Sequence, residues 1–437
     1  MRDKPTAVIH IGVEKTGTSS IQRFLEGNRE ALLNEGKLYP SFPRNERGSQ
    51  WGLVARISDR VLGVDVSQYL GLRNRSELDD YRRQVDVSLD RQIKQAQNLR
   101  FLIVSSEHFH SRLKNRAEIE LLRDYMGRWC GDFKILMYIR RQDRLAVSRF
   151  STALKSGSVD WEVFPAIGDE LPYYFDFWAI YRNWARVFGA DQVQVGIFEV
   201  DQLEHSDIVR DFSGRAGIGV ENKSWPGRVN ESLNKAGADF VRELNRRIPV
   251  TEGGLRNAAR ERIVSLVAQV CSGGGRLLPA AREEAIRFYR AFSDSNAELA
   301  RAVFPERVNG LFSEDFSEYP ETREWPKPKY ADAVGIAIDA IQRAAKWDEA
   351  RQLRANNFHL RGMLALKDGN ADRAIEMFQA VLQIAPEHFG ANFQLARLRL
   401  ERGEVEGGRK HLDAAIASAP PDHEGLAQLR RKYRTGR

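Results

Sequence analysis

Short apolar runs alternate with longer helical patterns through residues 1–325, and this alternation restricts the fold more than any other feature. The apolar runs occupy residues 7–11, 99–104, 134–139 and 192–198. Amphipathic segments such as residues 78–97 and 174–188 lie between them. Strands that alternate with helices need crossover connections, so the pattern predicts a parallel sheet with helices on both faces.

Polar residues follow three of these runs, at the point where each predicted strand ends. Residues 15–20 follow the first run, Glu107 follows the second and Arg140 follows the third. Ligands of open parallel sheets bind at the carboxyl ends of the strands. The sequence therefore predicts one functional site built from these three places.

Charge and cysteine content narrow the class of protein. The net charge of +7 favours anionic ligands, but 67 basic residues are mixed with 60 acidic ones, without the basic block of a nucleic-acid arm. Two cysteines, Cys130 and Cys271, are too few for a disulfide framework or a zinc site. The sequence contains neither a signal-peptide pattern nor an apolar run long enough to span a membrane. We therefore predict a cytoplasmic protein with no nucleic-acid partner and no membrane span.

The composition changes near residues 318–329, where three prolines stand among charged residues. Such a stretch is typical of a linker. It predicts a boundary between an α/β domain at residues 1–325 and an all-α domain at residues 326–437.

The all-α part contains an internal repeat. Residues 355–386 resemble residues 389–420, with Gly369 aligned to Gly403 and an offset of about 34 residues, the period of tetratricopeptide (TPR) repeats. One face of a predicted helix contains the apolar residues Ala374, Ile375, Phe378, Val381 and Leu382. Because stacked helix pairs present a concave face, this TPR-like domain is a candidate docking surface for a protein partner. We expect residues 330–346 to form a further helical pair with those after them, and residues 424–437 to form a polar cap.

The loop after the first predicted strand carries most of the functional argument. Residues 10–22 read as a strand, a Gly/Thr/Ser loop and a helix start, an arrangement that binds phosphate through backbone N–H groups and the helix dipole. Gly12 and Gly17 have the spacing of an ATP or GTP P-loop. However, Thr18 stands where that motif has its lysine, and the lysine lies inside the loop at Lys15.

Residues 15–20 resemble the 5′-phosphosulfate-binding loop of sulfotransferases that use 3′-phosphoadenosine 5′-phosphosulfate (PAPS), in particular the bacterial type. A second motif agrees: Arg140 ends a strand and Ser148 follows eight residues later, as in the family's 3′-phosphate site. The resemblance covers residues 6–220, and residues 230–233 are also similar to this branch. It implies a sulfotransferase fold with a P-loop-like parallel sheet flanked by helices, and PAPS as co-substrate without a metal.

The resemblance also implies a role for each residue. Lys15 would stabilise charge on the bridging oxygen, and Arg140 and Ser148 would bind the 3′-phosphate. The 5′-phosphate would be held by Lys15, Thr16, Gly17, Thr18, Ser19 and Ser20. The acceptor must lose a proton, and we favour Glu107 as the general base, with His108 as the alternative.

The acceptor is expected to be a hydroxyl or amine of a carbohydrate, lipid or small molecule. Several aromatic residues are candidates to line its pocket or to belong to the core: Trp51, Tyr69, Tyr173, Tyr174, Phe175 and Phe177. His10 is expected to be a packed strand residue beneath the loop, and His110 to be a weaker candidate for the base than His108. Two other functions stay open: a P-loop kinase-like phosphotransferase, and a non-catalytic TPR scaffold with a vestigial nucleotide-binding domain.

Overall fold

The computed structural model describes most of the chain, namely residues 4–44, 49–62, 65–225, 233–252, 255–271, 279–307, 310–323, 330–419 and 424–433. The chain divides into two compact units, Met1–Ala333 and Val334–Arg437. The predicted boundary at residues 325 and 326 lies outside the described residues, as do residues 230–232 of the segment similar to the bacterial sulfotransferases.

A five-stranded parallel sheet forms the centre of the first unit, with strand order β2-β3-β1-β4-β5. The strands are β1 (Thr6–His10), β2 (Lys37–Leu38), β3 (Phe101–Ser105), β4 (Asp132–Ile139) and β5 (Val193–Ile197). Four of them occupy the apolar runs of the sequence, which confirms the predicted α/β fold with a parallel sheet. The two-residue strand β2 was not predicted, because it is too short to show a periodic pattern.

Helices pack around this sheet. They are α1 (Thr18–Gly27), α2 (Arg29–Asn34), α3 (Trp51–Ile57), α4 (Asp65–Leu70), α5 (Arg75–Gln95), α6 (His108–Arg112), α7 (Arg116–Met126), α8 (Gln142–Lys155), α9 (Phe177–Phe188), α10 (Ile208–Ala216), α11 (Lys235–Arg247), α12 (Ala258–Val270), α13 (Arg282–Arg290) and α14 (Ser293–Val303). A small antiparallel pair, β6 (Thr251–Glu252) and β7 (Leu255–Arg256), lies between α11 and α12. Single-turn 3₁₀ helices occur at Asp59–Val61, Tyr173–Phe175, Ala190–Gln192, Val200–Gln202 and Glu204–Ser206.

Capping side chains fix where several helices begin. Asn74 accepts a hydrogen bond from the Glu77 N–H at the start of α5 (3.0 Å). Asp176 accepts one from the Ala179 N–H at the start of α9 (3.0 Å). The Asp176 carboxylate also accepts from the Ser295 hydroxyl (2.6 Å), so this cap connects α9 to α14.

A buried ion pair at the start of α8 holds a distant segment of the first unit in place. Arg141 and Asp143 have no exposed side-chain surface, and their two contacts measure 2.7 and 2.9 Å. The Arg141 guanidinium also donates to the carbonyls of Ser313 and Asp315, both at 2.7 Å. The Tyr319 hydroxyl donates to Asp143 at 2.8 Å. These bonds hold residues 313–319, which the sequence could not assign, against the start of α8.

The second unit is helical, with α15 (Tyr330–Lys367), α16 (Ala371–Ile384), α17 (Phe389–Glu401), α18 (Val405–Ala417) and α19 (Glu424–Tyr433). Gly369 and Gly403 have φ of 72° and 79°, the left-handed conformation in which glycine follows a helix end. The expectation of a helical pair from residue 330 onward is wrong, because α15 is one continuous helix of 38 residues. α15 contains no proline, and its two glycines, Gly335 and Gly362, each lie within its first or last six residues.

Two further properties concern the whole described chain. Among the helices that the structure describes, none combines the length and the apolar character that crossing a membrane would require. Cys130 and Cys271 are buried free thiols.

We predict that Asp143→Ala lowers the free energy of unfolding of the first unit by about 3 kcal/mol, because it removes the nearest carboxylate from the buried Arg141 charge and leaves only Glu318, 3.8 Å away. Urea denaturation followed by tryptophan fluorescence measures the change. Asp80→Ala is the matched control, since it removes an ion pair with Arg83 in which both side chains are more than half exposed. The control should change the free energy by less than about 1 kcal/mol. Equal effects of the two substitutions would contradict the role of the buried pair.

Candidate functional site

The loop between β1 and α1 has an unusual backbone conformation. Gly12, Lys15 and Gly17 have φ of 47°, 67° and 82°. A Cβ at Gly12 would lie 3.0 Å from the backbone nitrogen of Glu107, and a Cβ at Gly17 would lie 2.9 Å from Ile208. Both glycines are therefore required by space as well as by backbone angle.

Two hydroxyls of the loop stabilise its own shape. The buried Thr16 hydroxyl donates to the Val13 carbonyl at 2.6 Å, and the Thr18 hydroxyl donates to the same carbonyl at 3.5 Å. Ser19 and Ser20 are half-buried in the first turn of α1, which contains no acidic residue. The positive end of the helix dipole thus lies at the loop without a carboxylate in that turn to neutralise it.

Arg140 joins the loop to the next strand. Its guanidinium donates to the Lys15 carbonyl at 3.1 Å and lies 5.6 Å from the centre of the Phe198 ring. Because β1 and β4 are neighbouring parallel strands, their carboxyl ends form one crevice. Ser148 is half-buried on α8, the helix that follows β4. The structure therefore places the Arg140 guanidinium beside the backbone of Lys15.

Two lysines share this part of the site. Burial lowers the pKa of the Lys15 ammonium. The carboxylates of Glu14 and Glu107 act to raise this pKa, whereas the charge of Arg140 lowers it further. Burial, and then the charge of Lys15, lower the pKa of Lys155 to about 8. Lys155 follows Ser148 by seven residues on α8, so the two side chains leave the same face of the helix.

The Glu107 carboxylate is fixed by two donors. One of its oxygens accepts from the Gln22 amide (2.8 Å) and from the Ser49 hydroxyl (3.1 Å). The other lies 3.7 Å from Nε2 of His108. About a quarter of the Glu107 side chain remains exposed (26%), so this carboxylate is both oriented and accessible. These are the properties that a general base needs.

His108 lies beside this carboxylate in an aromatic setting. The side chain is buried, and its ring centre lies 3.9 Å from that of Trp51, which stacks on Tyr69 at 4.7 Å. Within the described residues, neither ring nitrogen of His108 has a hydrogen-bond partner. A buried polar group without a partner is costly, so an added ligand group would complete this arrangement.

A second carboxylate, that of Glu14, lies in the same loop and directly precedes Lys15 in the sequence. Its oxygen accepts from the Tyr174 hydroxyl at 2.6 Å. Burial acts to raise the pKa of Glu14, but Tyr174, His110 and His108 together hold it below its usual value. Nε2 of His110 donates to the Tyr174 carbonyl (3.0 Å), and burial lowers the pKa of His110 to about 4. Glu14 is thus an anion that balances Lys15.

The remaining candidates divide between core and surface. Phe175 and Phe177 are buried in the core of the first unit, and His10 is fully buried in β1 with a 2.8 Å contact to the Ser105 hydroxyl. Trp51 is half-buried and Tyr69 is 41% exposed. Tyr173 and Tyr174 are half-buried as well, and Trp51 is the candidate whose ring contacts His108.

Sequence reasoning missed four residues of the site, namely Glu14, Gln22, Ser49 and Lys155. Glu14 carried no motif of its own, and the amide of Gln22 was read only as part of the first helix. Lys155 could have been found, because a spacing of seven residues from Ser148 places it on the same helix face.

Comparison with known proteins gives a family match in the C-terminal part of the chain. A family model described as tetratricopeptide repeat matches residues 365–433, which confirms the TPR repeat predicted there. Neither the curated proteins nor the solved structures contain a match to this chain.

We predict that Lys15→Met raises the pKa of Lys155 from about 8 toward the ordinary value of 10.5, because it removes a neighbouring positive charge. Methylation with ¹³C-formaldehyde and NMR titration of the lysine signals measure this pKa, with Lys155→Arg used to assign it. Lys94→Met on α5 is the control, since Lys94 is exposed and pairs with Asp90. A Lys155 signal that titrates identically with and without Lys15 would show that the two ammonium groups are not neighbours.

Proposed function

We propose that the protein is a sulfotransferase that transfers the sulfuryl group of PAPS to a hydroxyl or amine of an acceptor. The observation that carries the proposal is the contact between Arg140 and the Lys15 carbonyl (3.1 Å) in the crevice between β1 and β4. It joins the two motifs that resemble the family's sites for the 5′-phosphosulfate and the 3′-phosphate. The donor's two anionic ends require two such cationic sites close together.

The residues present suit such a donor. Left-handed glycines let a phosphate approach the loop backbone, and the start of α1 adds N–H groups and the dipole. Lys15 and Arg140 supply positive charge, and the planar guanidinium can make two contacts to one phosphate. Because Thr16 and Thr18 donate their hydroxyl protons to Val13, their contribution to the 5′-phosphate is through backbone N–H groups.

Transfer breaks the bond between sulfur and the bridging oxygen and forms a bond from sulfur to the acceptor oxygen or nitrogen. The electron pair of the broken bond remains on the phosphate of 3′-phosphoadenosine 5′-phosphate, where Lys15 and the α1 dipole stabilise it. The acceptor proton passes to a base. Catalysis of this kind depends on positioning and charge, with no covalent enzyme intermediate.

Glu107 suits the role of base better than the other carboxylate. Its orientation is fixed by Gln22 and Ser49, and part of it is accessible. Glu14 is a weaker candidate because its pKa is held low and its oxygen is engaged by Tyr174. His108, next to Glu107, is the alternative base or a residue that orients the acceptor. The TPR repeat at residues 365–433 adds a surface for a protein partner.

Binding of the desulfated donor product tests the donor site. We expect 3′-phosphoadenosine 5′-phosphate to bind the wild-type chain, and Arg140→Ala or Lys15→Ala to weaken binding by roughly ten- to hundredfold, since each removes hydrogen bonds to a charged group. Ser148→Ala, which removes a single hydroxyl, should weaken it less. Isothermal titration calorimetry measures all four, and Arg83→Ala on the exposed face of α5 is the control.

A folded wild-type chain that does not bind this nucleotide would contradict the sulfotransferase proposal and leave the TPR scaffold as the better one. Binding of ATP with Mg²⁺ in preference to it would instead favour the kinase-like phosphotransferase.

For the base, we predict that Glu107→Gln reduces sulfuryl transfer by about a hundredfold or more while nucleotide affinity stays within about twofold. The substitution keeps the size of the side chain and removes only its ability to accept a proton. Transfer is measured as release of 3′-phosphoadenosine 5′-phosphate from PAPS with a panel of acceptors. If Glu107→Gln retains full transfer and His108→Ala abolishes it, the base is His108.

A further inference from the structure

The long helix α15 has two opposite apolar faces, and only one of them is packed within its own unit. Ala355, Phe358 and Ala365 belong to the cluster that α15 forms with α16 and α17. On the other side, large apolar side chains remain exposed: Val334, Ile338, Ile341, Leu353, Leu360, Met363 and Leu364.

These exposures are high for residues of their type. Leu353 is 70% exposed, Ile341 is 69% and Leu360 is 63%. At about 100° per residue, all seven side chains fall within a sector of roughly 140° that faces away from Ala355 and Phe358. A single exposed leucine needs no explanation, but two clusters of exposed apolar residues on one helix face, at residues 334–341 and 353–364, indicate an interface.

The position of these clusters within the repeat supports the same conclusion. Solenoid domains end in repeats whose outer face is polar, because the last apolar face has no neighbour to cover it. At the carboxyl end, α19 covers its neighbours with Leu426 and Leu429. At the amino end of the second unit, the outward face of α15 is apolar instead.

The charges on α15 favour one relative direction when two copies of the helix are paired. Residues 330–341 contain two acidic residues, Asp332 and Asp339, and no basic one. Residues 342–350 contain two basic and two acidic residues, and residues 351–367 contain only basic charges, at Arg351, Arg354, Arg361 and Lys367. A parallel pair of such helices would place like charges together, whereas an antiparallel pair places opposite charges together.

One antiparallel register satisfies both patterns. Pairing Asp332 with Arg361 and Asp339 with Arg354 places the two-fold axis between residues 346 and 347. In this register Val334 lies within one residue of Leu360 of the other helix, and Ile341 lies within one residue of Leu353. All eight of these side chains are exposed. The four charges also lie along one flank of the apolar clusters, and equal flanks face each other in antiparallel helix pairs.

From this self-complementarity we propose that the covering partner is a second copy of this chain, and that two α15 helices pack antiparallel about a two-fold axis. An isologous interface requires a surface that complements itself, which this helix provides. The apolar contacts supply most of the affinity, and the charges select direction and register. This inference does not depend on the proposed sulfuryl transfer.

Charge reversal tests the proposal on the full chain by light scattering coupled to size-exclusion chromatography and by sedimentation equilibrium. The wild type should have twice the 49.8 kDa mass of one chain. Asp332→Arg with Asp339→Arg makes all four positions basic, and Arg354→Asp with Arg361→Asp makes all four acidic, with Arg343 unchanged in both variants. Each double variant alone should dimerise at least tenfold more weakly, and an equimolar mixture should form a heterodimer of wild-type affinity.

The apolar clusters have their own test and control. Ile341→Asp with Leu353→Asp should give a monomer, whereas Val405→Asp on α18, which is 48% exposed, should leave the dimer intact. Circular dichroism checks that helix content is unchanged in every variant. A wild type that is monomeric at all concentrations, or a mixture of the two charge variants that fails to associate, would overturn the proposal. Dimers that persist in every α15 variant would place the interface elsewhere and overturn it equally.

Discussion

Strand β1 is paired on both sides, with β3 and with β4, and the rest of the first unit is arranged around this constraint. Its apolar residues Ala7, Val8 and Ile9 have no exposed surface, because both faces of the sheet are covered. All three strands are parallel, so their carboxyl ends meet at one edge. Lys15, Glu107 and Arg140 are far apart in sequence and come together at that edge for this reason.

The loop that follows β1 has a conformation that other interactions must maintain. A non-glycine residue with φ of 67°, as at Lys15, costs about 1 kcal/mol relative to an ordinary conformation. The Thr16 hydroxyl on Val13 and the Arg140 guanidinium on the Lys15 carbonyl compensate this cost. Strain held in this way is typical of functional sites, where it fixes backbone groups before a ligand binds. The same contact therefore stabilises the loop and connects the two halves of the proposed donor site.

The sequence predicted those parts of the molecule in which local pattern and tertiary structure agree. Continuous apolar runs revealed β1, β3, β4 and β5, and the Gly/Thr/Ser loop indicated a candidate site at the end of β1. The repeat of Gly369 at Gly403 revealed the TPR helices. Residues 313–319 could not be assigned, because their position depends on the distant Arg141–Asp143 pair. Glu14 was missed because it carries no motif of its own, although it precedes Lys15 directly, and Lys155 could be found only from its helix-face spacing to Ser148.

The proposal that the crevice between β1 and β4 binds PAPS is tested most directly by a crystal structure of the chain with 3′-phosphoadenosine 5′-phosphate. The account predicts the 5′-phosphate on the backbone of residues 15–20 and the 3′-phosphate on Arg140 and Ser148. It also predicts that Glu107 faces the open side of the 5′-phosphate, where an acceptor would approach. A nucleotide bound elsewhere, or bound in the crevice with Lys15 and Arg140 both turned away from its phosphates, would contradict it.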